Sequence, residues 1–60
     1  MNGLYVFAYE DEKGESGTEY IPAQKLTFAT EVFNRIMIKK QLKVKIIRIT
    51  KYTLAWVRKL

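Results

Sequence analysis

The sequence contains no cysteine and no histidine, a single proline and three glycines, and no acidic residue after Glu31. Each shortage closes off a class of protein. Without cysteine there is no disulfide to staple a small domain and no thiolate site for zinc or an iron–sulfur cluster. With histidine missing too, the commonest general base and the commonest thiol nucleophile are both gone. The residues therefore point away from catalysis, and no catalytic group is assigned. No apolar run reaches the ~18 residues a bilayer-spanning helix needs. The stretch Met1–Glu12 lacks the basic start and the long apolar core of a secretory leader. A cytoplasmic protein without membrane contact is the expectation.

What is present is compact. A chain of 60 residues is one domain, 1–60. At that size folding removes only about 60% of the unfolded chain's surface from water, so the domain is marginal by itself. Yet 48% of its residues are apolar, more than a mostly exposed chain needs. With no disulfide or thiolate metal site to help, self-association or burial against a partner becomes the expected support.

Charge is split along the chain. Residues 1–31 carry six acids and two bases; residues 32–60 carry nine bases and no acid, and the whole is +5. Such asymmetry points to nucleic acid or another acidic partner. It is equally compatible with the two halves neutralising each other within the fold or across a dimer.

One segment, Thr27–Gln41, has a clear helical period. Phe28, Ala29, Val32, Phe33, Ile36 and Met37 recur at spacings of one, three and four and make one apolar stripe. The pattern predicts a helix over about 28–41, with Thr27 as its N-cap and Lys39 and Lys40 at the negative end of its dipole. Pro22 as a first helical residue is a second way to open it. Strands are predicted over about 4–10, 18–21, 43–50 and 52–58. In the first, Leu4, Val6 and Ala8 alternate with Tyr5, Phe7 and Tyr9, so both faces are apolar. In the third, Val44 and Ile46 share a face and Ile47 and Ile49 the opposite one, which implies a β-bulge or cover on both sides. Thr50-Lys51 is a poor hairpin turn. The last two strands are therefore one long bent segment, a strained turn, or a swapped strand pairing with another chain. The fold class is α+β: a small ββαββ domain, one helix on one face of a mostly antiparallel sheet, with dimerisation or strand swapping open. The element order is similar to the β-grasp arrangement of small immunoglobulin-binding bacterial domains, and the likeness implies architecture alone.

Glu10, Asp11, Glu12 and Glu15 crowd into one loop but lack the spacing of a calcium loop, and Gly14 and Gly17 form no phosphate cradle. No metal and no cofactor are expected. What remains is binding. Lys39, Lys40, Lys43, Lys45, Arg48, Lys51 and Arg58 are the candidate phosphate contacts for DNA or RNA. Tyr5, Phe7 and Tyr9 could stack bases if they line an open sheet face, or bury themselves as core. The function expected is non-enzymatic nucleic-acid binding through the basic second half. The alternative is a protein-interaction or inhibitor module, a homodimer or a domain docking on a larger protein through Tyr5, Phe7, Tyr9 and Trp56.

Overall fold

The computed structural model describes residues 3–53. Within them the order is β1 (Gly3–Asp11), β2 (Ser16–Ala23), α1 (Leu26–Lys39) and β3 (Val44–Thr53). The three strands form one sheet in the order β2-β1-β3, and β1 runs antiparallel to both neighbours. The α+β class and the antiparallel sheet agree with the sequence pattern. Trp56, Arg58 and most of the fourth strand, 52–58, lie outside the described residues; Tyr52 and Thr53 close β3. No described helix is long and apolar enough to cross a membrane.

The alternation in β1 decides where the core lies. Tyr5, Phe7 and Tyr9 point to one face, and α1 lies over it. The buried set is Tyr5, Phe7, Tyr9, Ile21, Ala29, Phe33 and Met37. Of the two apolar faces of β1, the helix covers the one with the larger side chains, because three rings remove more apolar area from water than Leu4, Val6 and Ala8 can. Phe7 stacks on Phe33 at 4.6 Å and 11°, and Tyr9 meets Phe33 edge-on at 5.7 Å. Of the rings considered for stacking or docking, Tyr5, Phe7 and Tyr9 are thus core and offer a partner no surface.

The helix starts two residues earlier than predicted. Lys25 is its N-cap, with no side-chain cap bond and no acid in the first turn. Its carbonyl accepts the first helical bond, from Ala29 N–H at 3.1 Å, so Thr27 sits inside the first turn. The apolar stripe is only partly used: Ala29, Phe33 and Met37 are buried, whereas Phe28 and Val32 stay exposed.

The helix stops at Lys39 without glycine. Gln41 takes the left-handed conformation, φ 57°. Gln41 N–H then donates to Ile38 C=O (3.0 Å) and Leu42 N–H to Met37 C=O (2.9 Å). These are the two bonds of a Schellman motif. Leu42 and Val44 pack against the core cluster just beyond it.

β3 contains a bulge, the first of the two alternatives its change of apolar face allows. Arg48 pairs with Ala8 but Ile46 pairs with Tyr9, so Ile47 is the extra residue. The shift puts both Ile46 and Ile49 on the helix side, opposite Tyr9 and Phe7. The strand then runs straight through Thr50-Lys51, which forms no turn. Pro22 is accommodated because β2 is an outer strand of the three, where a missing N–H need not break the ladder. Gly14, in the turn, takes φ +83°, whereas Gly17, in β2 opposite Tyr9, is required by contact: a Cβ there would enter the ring of Tyr9.

Candidate nucleic-acid interface

The fold does not gather the six described candidate cations on one surface; the seventh, Arg58, lies outside the described residues. Lys39 is exposed in the last helical turn. Lys40 donates to Glu19 on β2 at 2.8 Å, and this hydrogen bond, with the carboxylate's charge, raises the lysine above its ordinary pKa. Lys43 precedes β3 and borders a cleft of about 240 Å³ shared with Asp11, Glu12 and Glu15. Lys45 lies cross-strand from Glu10. Arg48 is opposite Ala8, on the sheet face away from the helix, whereas Lys51 is opposite Tyr5 on the helix side, its ammonium 5.7 Å from that ring's centre. Alternation along β3 is the reason for this division: residues one apart cannot share a face.

The acidic loop is a turn. The Asp11 carboxylate accepts from Lys13 N–H (2.8 Å) and Glu15 N–H (2.9 Å), and Gly14 N–H donates to the Asp11 carbonyl (3.0 Å). Among the described residues no group of acids is arranged to hold a metal ion. Nor is internal neutralisation extensive: Lys40–Glu19 is the only salt bridge among the described residues. Lys45, Arg48 and Lys51 are all exposed.

The sheet face opposite the helix supplies a feature that the sequence reading passed over. Directly paired residues in an antiparallel ladder share a face. Val6 pairs with Tyr20 on one side and Thr50 on the other; Leu4 pairs with Pro22 and Tyr52; Ala8 pairs with Thr18 and Arg48. Leu4 and Val6 are half-buried, while Tyr20 is 65% and Tyr52 52% exposed. Two exposed rings therefore flank a low apolar floor, with Arg48 on the same face. Tyr20 could have been found from the sequence, since its neighbour Ile21 is the natural core residue of β2 and alternation sends Tyr20 the other way.

Comparison with protein-family models, with curated proteins and with solved structures finds no match.

Proposed function

We propose that this chain is a non-enzymatic nucleic-acid-binding domain whose phosphate contacts are the exposed cations of β3. One observation carries the reading. Of the cations on and before β3, only Lys40 is tied into a salt bridge among the described residues, so Lys45 and Arg48 keep their charge available on one face of this outer strand and Lys51 on the other. A strand with three such groups and no acid suits a polyanion. The proposed setting is the cytoplasm, which the cysteine-free composition suits.

Titration of a labelled oligonucleotide at several salt concentrations tests this. Engagement of about three phosphates gives a slope of log K against log salt of about −2 on a single strand. Arg48→Glu with Lys51→Glu should abolish most of the affinity while leaving the fold intact, because both side chains are exposed. Binding that ignores salt, or survives both reversals, would refute the reading.

A second reading rests on a different surface. Ile46, Ile47 and Ile49 are 38%, 57% and 37% exposed on β3, an apolar run suited to protein docking or self-association. Sedimentation equilibrium separates the two: that reading requires a dimer or complex that Ile47→Glu dissolves, with nucleic acid ignored.

A further inference from the structure

We propose that the sheet face opposite the helix selects single-stranded nucleic acid, stacking unpaired bases on Tyr20 and Tyr52. The proposal deepens the nucleic-acid reading and rests on it. Three observations converge. First, Tyr20 and Tyr52 stand on strands either side of β1, on the same face, and remain 65% and 52% exposed. Scattered exposed apolar residues are ordinary on any surface; these two bracket one site. Second, the ladder sets their separation. They lie two strand spacings apart and two residues out of step, so their Cα atoms are about 12 Å from one another. Half-buried Leu4 and Val6 lie between them, a floor on which an intervening base can rest. The footprint is roughly three bases, the number a small sheet can carry on its aromatics. Third, the charge fits. Arg48 and Lys45 face the same way from β3, and Glu10, the acid on this face, sits at the far end of β1, paired with Lys45.

Duplex DNA cannot use the two rings for stacking. Its bases are closed within the stack and present only their edges in the grooves. An unpaired strand has a free face on every base, so stacking adds to phosphate attraction without demanding a particular sequence. Preference for single strands with little sequence discrimination follows.

The test uses the full chain and three fluorescein-labelled probes: a dT 20-mer, a 20-base-pair duplex, and an abasic 20-mer with the same phosphates. Anisotropy at low salt should rank the dT strand at least fivefold tighter than either of the others. Tyr20→Ala and Tyr52→Ala should each weaken the dT complex by about 5- to 150-fold, and Tyr20→Phe and Tyr52→Phe should bind as the parent does, since stacking needs the ring and not the hydroxyl. Phe28→Ala, an exposed ring on the helix, should change nothing. Equal affinity for all three probes, unmoved by the tyrosine variants but released by salt, overturns the stacking site while leaving the phosphate reading standing. No binding to any probe at low salt overturns both.

Discussion

Replacing Gln41 by glycine should stabilise the protein. Gln41 holds φ 57° at the helix C-terminus, and its placement lets two backbone N–H groups reach Ile38 and Met37. For a residue with a Cβ, the left-handed conformation costs about 1–2 kcal/mol. Glycine escapes that cost but loses more chain entropy on folding, about 0.5–1 kcal/mol. The difference leaves a gain of about 0.5–1 kcal/mol for Gln41→Gly. Among the described residues no side-chain hydrogen bond of Gln41 offsets it. A domain of this size is stable by roughly 3–9 kcal/mol, and 1 kcal/mol moves its Tm by about 4–8 °C. The variant should therefore melt about 2–8 °C higher when ellipticity at 222 nm is followed, with the urea midpoint rising and its slope unchanged. Gln41→Ala should gain nothing, and Gln41→Val should lose stability, because a β-branched residue tolerates the conformation worse. A glycine variant no more stable than the alanine one would show that the helix does not end on a left-handed residue.

Three further perturbations probe other parts of the fold. Lys25 caps the helix without a side-chain bond, so Lys25→Asp should exceed Lys25→Ala in stability by about 1 kcal/mol in urea unfolding; equal values would contradict the helix start. Gly17→Ala forces the Tyr9 ring off its seat and should cost about 1–3 kcal/mol, a penalty that shrinks in a Tyr9→Leu background if contact with that ring is its cause. The raised pKa of Lys40 has a definite sign. From neutral pH up to the ordinary lysine value the pairing with Glu19 contributes fully, and it is lost as the pH rises through the raised value, so across that range the stability gap between parent and Lys40→Met should narrow only on the alkaline side. A gap that closes near neutral pH would show that another group titrates.

How far the fold was legible depended on whether one local signal sufficed. The split of β1 into an aromatic and an aliphatic face was readable from alternation, and the bulge was readable from the mid-strand change of face at Ile46–Ile47. Which face of β1 the helix would take was a matter of buried volume, and two apolar faces hid it. The helix starts before Thr27, despite that residue's good capping chemistry: Lys25 is the N-cap and Thr27 falls inside the first turn, with Ala29, Phe33 and Met37 packed on the core. Its end was obscured because the left-handed position is held by Gln41, the conformation most often marked by glycine. The candidate site was less legible than the fold. Nothing local in the sequence separates Lys45 and Arg48 from Lys51, which only the register places on the other side. Tyr20 needed the pairing of β2 with β1 to set it across Val6.

The measurement that bears most directly on the account is a ¹H–¹⁵N spectrum of the labelled protein titrated with the dT 20-mer. Shifts should concentrate on Val6, Tyr20, Arg48, Thr50 and Tyr52, with Ala29 and the exposed helix residues Phe28, Val32 and Ile38 unmoved. Shifts centred on the helix, or a spectrum unchanged at saturating strand and low salt, would contradict it.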